Sequence, residues 1–315
     1  MAACVIPCFW KSSRQRVSAP RLSANNAKSH PTHTVKTPAS IGILAPTRTA
    51  PCLLALQQLM EAFSAAGLNA YEMGKNTVND PVLGHPELIL CLGGDGTMLS
   101  VALAASSTGT IIGGVNMGHL GFLSACGRDE LELLVSALAE GTYEVDERAM
   151  LEVRKFDAVG EETNRRFYAL NELSLTRAKT GKMIDVDVEL DGKLLNRYHA
   201  DGILVATPTG STAYSMSAGG PLMWPTAGVT CLTPICPHSL TSRPIVLPDA
   251  VEITLRPRER RGRAEESLIF SLDGRNIYPI ALNETLRVRK APNPLRLLNL
   301  PGSDYAARLR AKLRW

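Results

Sequence analysis

The spacing of the apolar residues changes once along the chain, near Tyr143, and that change limits what the chain can fold into. Before it, short apolar runs alternate with segments of helical spacing. Ile41–Leu44, Leu88–Leu92 and residues 111–115 read as buried strands. Residues 53–66, with Leu53, Leu54, Leu56, Leu59, Met60 and Phe63 apolar, read as a helix, as do 98–105 and 130–140. Strands alternating with helices predict a parallel sheet with helices on its faces. After Tyr143 the period becomes two. Ile184, Val186, Val188 and Leu190 alternate with Asp185, Asp187 and Glu189, and Asp191-Gly192 supplies a hairpin turn. Val251, Ile253 and Leu255 alternate with Glu252, Thr254 and Arg256. Such alternation predicts antiparallel sheet with one packed and one wet face.

At 315 residues, 45% of them hydrophobic, the chain is long enough for two domains. The boundaries fall at 1–40 for an extension, 41–145 for an α/β domain rejoined by 288–315, and 146–287 for a β-rich domain. Residues 305–315 read as a basic amphipathic helix returning to the first domain. No apolar run is long enough to span a bilayer as a helix.

The net charge is +4, and residues 1–40 hold six Lys or Arg with no acid before Glu61. That segment predicts an organelle transit sequence, hence the chloroplast stroma; the alternative is an extension on a cytoplasmic enzyme. With it set aside, the charge gives no reason to expect a nucleic-acid or membrane partner. The five arginines between Arg256 and Arg263 read as a solvated hairpin tip. The seven cysteines include no C-x-x-C pair and read as reduced thiols. Cys231, Cys236 and His238 match no common zinc spacing.

The strand at 88–92 runs straight into Gly93-Gly94-Asp95-Gly96-Thr97 and then a helix. Glycines let a ligand approach the main chain, and the N–H groups opening a helix favour phosphate. Asp95 would repel that phosphate unless it handles a proton or helps hold a cation. A helix cap by Asp95 or Thr97 is the plain alternative. There is no G-x-x-x-x-G-K-[ST] and no G-x-G-x-x-G, which excludes P-loop kinases and ordinary dehydrogenases on pattern. Asn116-Met117-Gly118-His119-Leu120-Gly121-Phe122 reads as a strand end with a turn. Asn171 and Glu172 can serve one ligand only at a strand end or bulge. Residues 201–221 read as a buried strand opening into a loop crowded with Ser, Thr and Gly, whose hydroxyls suit a sugar and a base edge.

These motifs, in this order, resemble the NAD kinase family over residues 41–315: GGDGT at 93–97, N-x-G-x-LGFL at 116–123, NE at 171–172, DG-x8-STAYS at 201–215 and PICPHSL at 234–240. The resemblance implies an α/β N-terminal domain with a parallel sheet plus a mostly antiparallel β C-terminal domain, with the active site between them. It implies an ATP-dependent kinase that phosphorylates the adenosine-ribose 2′-hydroxyl of NAD. Asp95 would be the base; Gly94, Gly96 and Thr97 would hold ATP phosphates with a divalent metal, magnesium being the expected ion. Phe122, Asn171, Glu172, Thr212, Ala213, Tyr214 and Ser217 would bind NAD, and Asp201 its nicotinamide end. No side chain is assigned as a direct metal ligand. Members form homodimers or homotetramers in which the β domain reaches the partner's site. Arg275 stands where Gln is frequent, which leaves its role open. A lipid or sphingoid kinase sharing GGDGT, and a dinucleotide-binding protein without turnover, are the alternatives.

Overall fold

The computed structural model describes residues 36–74, 85–118, 121–178, 183–258 and 268–315. Most of the predicted extension, His119 and Leu120, and the arginines from 260 to 263 lie outside the described residues. Residues 36–40, read from sequence as the end of the extension, are tied to the fold: Tyr143 Oη donates to Lys36 O at 3.0 Å, and Ala39 N donates to Glu87 Oε2 at 2.7 Å.

The first part follows the alternating pattern. It runs β1 (Ile41–Leu44), α1 (Ala50–Ala65), β2 (Ala70–Met73), β3 (Leu88–Leu92), α2 (Asp95–Thr108), β4 (Ile111–Asn116), β5 (Ser124–Gly127), α3 (Leu131–Glu140) and β6 (Glu144–Arg148). β2, β1, β3 and β4 lie side by side and parallel, and β5 continues parallel from the far end of β4. Every residue of β1, β3 and β4 is buried, as a sheet covered on both faces requires. α1 buries Cys52, Ala55, Leu56, Leu59 and Phe63, one face at helical spacing. β1 connects to one side of the sheet and β3 to the other. The crevice at their carboxyl ends is therefore a topological switch point, where ligands of such sheets bind.

The second part is antiparallel. One sheet holds β7 (Leu151–Phe156), β8 (Glu162–Ala169), β10 (Ile184–Leu190), β11 (Lys193–Ala200), β15 (Ile253–Arg258) and β18 (Thr285–Lys290). The other holds β9 (Glu172–Arg177), β12 (Gly202–Ala206), β13 (Val229–Ile235), β14 (Ile245–Pro248), β16 (Leu268–Leu272) and β17 (Asn276–Ile280), with the short α4 (Tyr214–Ser217) after β12. Their inner faces share one core, in which Val153, Val186, Val188 and Leu255 meet Leu175, Ile203, Val205 and Phe270. Asp191 (φ 47°) and Gly192 (φ 77°) form the expected primed turn between β10 and β11. Asp187, expected on a wet face, is instead buried and accepts from Arg197 Nε at 2.7 Å and Arg258 Nε at 2.6 Å.

The chain then returns. β19 (Leu295–Asn299) lies between β4 and β6, parallel to the first and antiparallel to the second. α5 (Tyr305–Leu313) follows. The five described cysteines are free, and among the described residues no group of three or more His, Cys, Asp or Glu side chains is arranged to hold a metal ion. No described helix is long and apolar enough to cross a membrane.

Candidate functional site

The glycine turn stands at the carboxyl end of β3. Gly94 occupies the N-cap position of α2 and has no side chain to cap it. Asp95 does not cap its helix either. Its carboxylate crosses to the segment after β4, where Oδ2 accepts from Phe122 N at 2.9 Å and Oδ1 from Leu123 N at 3.1 Å. A Cβ at Gly121 would lie 2.0 Å from Asp95 Oδ1, so only glycine leaves room for this carboxylate. Asn116 closes a local turn with Gly118, donating from Nδ2 to its carbonyl at 3.1 Å. Residues 121–123 are thus the cradle that fixes Asp95, half-exposed, beside an open turn.

α5 braces that cradle. Arg308 Nη1 donates to Phe122 O at 2.9 Å, and Lys312 Nζ stands 5.6 Å from the centre of the Phe122 ring. Burial depresses the Arg308 pKa and the like charge of Arg148 adds to this, while the Asp95 charge opposes both. At its start, the ring of Tyr305 packs edge-on against Trp224, 5.2 Å between centres.

Asn171 and Glu172 sit at the start of β9, the strand-end position that lets adjacent residues serve one site. The carboxylate of Asp273, at the tip of the β16–β17 hairpin, accepts from Leu170 N, Asn171 N and Glu172 N at 3.0, 2.7 and 3.2 Å. Glu172 is buried, and its Oε2 has no hydrogen-bond partner. Burial, reinforced by the Asp273 charge and partly opposed by the Tyr214 N–H, pushes the Glu172 carboxyl up to about 7. Burial raises Asp273 too, against its three backbone donors and the Arg275 charge. Two residues on, Arg275 Nη2 donates to Gly96 O. The turn 273–275 therefore joins the glycine turn of the first part to the Asn171–Glu172 corner of the second.

The loop after β12 closes on the same corner. Thr207 N donates to Asn171 O at 2.9 Å, and a Cβ at Gly210 would lie 2.1 Å from that oxygen. Its hydroxyls differ from the expectation. Thr207 Oγ1 donates to Leu170 O, Ser211 Oγ to Pro208 O and Thr212 Oγ1 to Thr209 O, while Ser215 Oγ meets Thr233 Oγ1. These four hold the loop's own shape, whereas the buried Thr209 Oγ1 has no hydrogen-bond partner. Tyr214 and Ser217 are exposed, as are Gly219 and Pro221 further along, with Thr212 and Ala213 half-buried beside them.

Asp201 is not brought to this corner. β12 pairs Ala206 with Glu172 but Gly202 with Thr176, so Asp201 lies beyond the far end of the strand, about 16 Å along it. Asp273, Gly121, Gly210 and Arg308 are the contributors that sequence reasoning missed. Asp273 carries a local signal, an Asp-Gly dipeptide between two apolar runs, and Gly121 and Gly210 lie inside motifs already singled out; Arg308 carries none.

The sequence matches the ATP-NAD kinase N-terminal domain over residues 77–143 and the ATP-NAD kinase C-terminal domain over residues 170–300. This chain belongs to the NAD kinase family. Among its relatives, the NAD kinase of Gemmatimonas aurantiaca is 40% identical over 230 residues, 73% of this chain and 78% of that protein. The NAD kinase of Geotalea daltonii is 34% identical over 284 residues, covering 87% and 98%. Two solved structures share the fold at 23% identity. Yeast NADH kinase complexed with NADH gives a TM-score of 0.74, covering 88% of this chain and 87% of that one. An NAD kinase from Archaeoglobus fulgidus in complex with ATP gives 0.69, covering 87% and 98%.

Proposed function

We infer that the protein is an ATP-dependent NAD kinase, and that the Asp95 carboxylate receives the proton of the acceptor hydroxyl. The supporting observation is the position of that carboxylate: it is turned away from capping its own helix and fixed by two N–H groups beside a glycine turn. Each oxygen accepts one backbone donor and keeps a free lone pair for the incoming hydroxyl. The adenosine-ribose 2′-oxygen of NAD attacks the γ-phosphorus of ATP, the bond from γ-phosphorus to the bridging oxygen breaks, and ADP leaves. Such transfer depends on positioning and charge neutralisation more than on covalent chemistry. Gly94, Gly96 and Thr97 hold the donor phosphates at the helix start.

The described residues build no all-protein cage for a cation. Magnesium needs few protein ligands when phosphate supplies the rest, so it enters as magnesium-ATP, part of the donor substrate. On the acceptor side, Asn171 and Glu172 bind ribose hydroxyls. Phe122, Thr212, Ala213, Tyr214 and Ser217 line the NAD pocket. The unpartnered Glu172 Oε2 supports this assignment, since a buried polar atom without a partner is costly until a ligand meets it. Relatives 34% and 40% identical that are NAD kinases favour a dinucleotide acceptor over a lipid.

Asp201 reaches the nicotinamide end from a second copy of the chain, in a homodimer or homotetramer. Mixing Asp95→Asn with Asp201→Ala subunits tests this: activity recovered above either parent supports it, and no recovery counts against it. The bacterial origin of the matched relatives favours the cytoplasm over the chloroplast stroma. Uptake of the full chain by isolated chloroplasts would reverse that reading. Incubation with NAD, ATP and magnesium, followed by detection of NADP, tests the activity itself. Nucleotide binding without any NADP formed would favour a sensor without turnover.

A further inference from the structure

Arg275 is the point of interest, because its chemistry is only partly used by the contact it makes. It follows Asp273 (φ 51°) and Gly274 (φ 64°), a primed two-residue turn that few residue pairs accept and that holds its shape well. Arg275 N donates to Leu272 O at 3.0 Å, and Asp273 is anchored by three backbone donors. The base of the side chain is therefore fixed. From there the guanidinium crosses to the other half of the molecule and lies against the glycine turn. Its Nη2 donates to Gly96 O and stands 3.0 Å from where a Cβ on residue 96 would be.

A guanidinium carries five N–H donors, and a single neutral carbonyl satisfies little of its charge. No carboxylate lies within ion-pair distance of Arg275 among the described residues, and the residue is exposed. Next to it the turn is open: a Cβ at Gly94 would meet nothing within 4 Å. The same turn carries Asp95, whose negative charge opposes an incoming triphosphate. A cation placed over Gly96 from the opposite half offsets that repulsion where the donor phosphates must lie. We propose that Arg275 is a donor-binding residue, whose guanidinium engages the terminal phosphates of ATP over the Gly94–Gly96 turn. This rests on the kinase reading above and assigns a task to a position that the sequence left open.

The test uses two variants. Arg275→Gln removes the charge and, being two bonds shorter, the contact with the Gly96 carbonyl; Arg275→Lys keeps a charge without the planar fork. Steady-state rates are measured with magnesium-ATP varied at saturating NAD and with NAD varied at saturating ATP. ATP affinity without NAD is measured by calorimetry. The expected result for Arg275→Gln is a KM and Kd for ATP raised about tenfold or more, a KM for NAD within about twofold of wild type, and an unchanged unfolding temperature. Arg275→Lys should fall between. ATP constants within twofold of wild type for Arg275→Gln overturn the proposal, as does an equal rise in both KM values together with a lower unfolding temperature. If the wild type binds ATP but forms no NADP, the kinase reading fails; the ATP Kd of the variants still decides the role of Arg275.

Discussion

Two carboxylates stand on either side of the 273–275 turn, one in each half of the molecule, and the fold treats them differently. Asp95 is half-exposed, with each oxygen held by a backbone N–H and its outer side open beside the glycine turn. Glu172 is buried beside a second carboxylate, with Oε2 unpartnered and its pKa pushed up to about 7. The contrast teaches that adjacency to a ligand site does not set a carboxylate's role. Backbone donors fix the orientation of Asp95, as the proposed proton transfer requires, whereas burial leaves Glu172 with an unpartnered oxygen, as the proposed contact with a ligand hydroxyl requires.

The largest effect should come from removing the first carboxylate. Asp95→Asn should lower kcat by about 10²–10⁴-fold with NAD affinity largely retained, as measured by single-turnover NADP formation and NAD titration. Turnover near the wild-type value would remove Asp95 from the proton transfer. Gly121→Ala sharpens the contrast by moving the carboxylate without deleting it. Its Cβ needs the space of Oδ1, 2.0 Å away, so kcat should drop by roughly 10²-fold, the scale of a misplaced catalytic group. A fully active Gly121→Ala enzyme would show that the cradle does not matter.

Glu172→Gln addresses the other side. Below about pH 4.5 Glu172 is protonated in both folded and unfolded chains and imposes no penalty. Between there and about pH 7 the unfolded chain releases the proton while the folded one retains it, so stability falls as pH rises, then stays level above. The glutamine variant should gain roughly 2 kcal/mol over wild type at pH 8, a few degrees in Tm, and little at pH 4.5. A gain equal at both pH values would mean that Glu172 does not titrate in that window. The smallest effect concerns the brace on the Asp95 cradle. Lys312→Ala removes a cation–π contact with Phe122 and should cost about 0.5–1 kcal/mol in thermal unfolding with kcat within a fewfold of wild type.

Much of this was legible from local signals. β1, β3 and β4 with the helices of the first part, the Asp191-Gly192 hairpin and the glycine turn follow from periodicity and turn chemistry; the short strands β2, β5 and β6 carry too few residues to show a period and were not foreseen. Helix ends moved: residues 98–105 became Asp95–Thr108, because a helix continues through polar positions that face solvent. The hydroxyl-rich loop was legible as special but not in its use. Composition cannot tell a hydroxyl that holds a loop from one offered to a ligand, and Thr207, Ser211, Thr212 and Ser215 turned out to be of the first kind.

By itself the sequence determined the two architectures, the order of the motifs and the family, because spacing, turn residues and apolar period act within a few neighbours along the chain. The tertiary structure decided which groups are free to act. Asp95 is fixed by residues 27 and 28 positions away, Asn171 and Glu172 by an aspartate about a hundred away, and Gly96 by an arginine 179 away. Hydrogen bonds and burial across such separations depend on how the chain packs back on itself, and no local pattern encodes that.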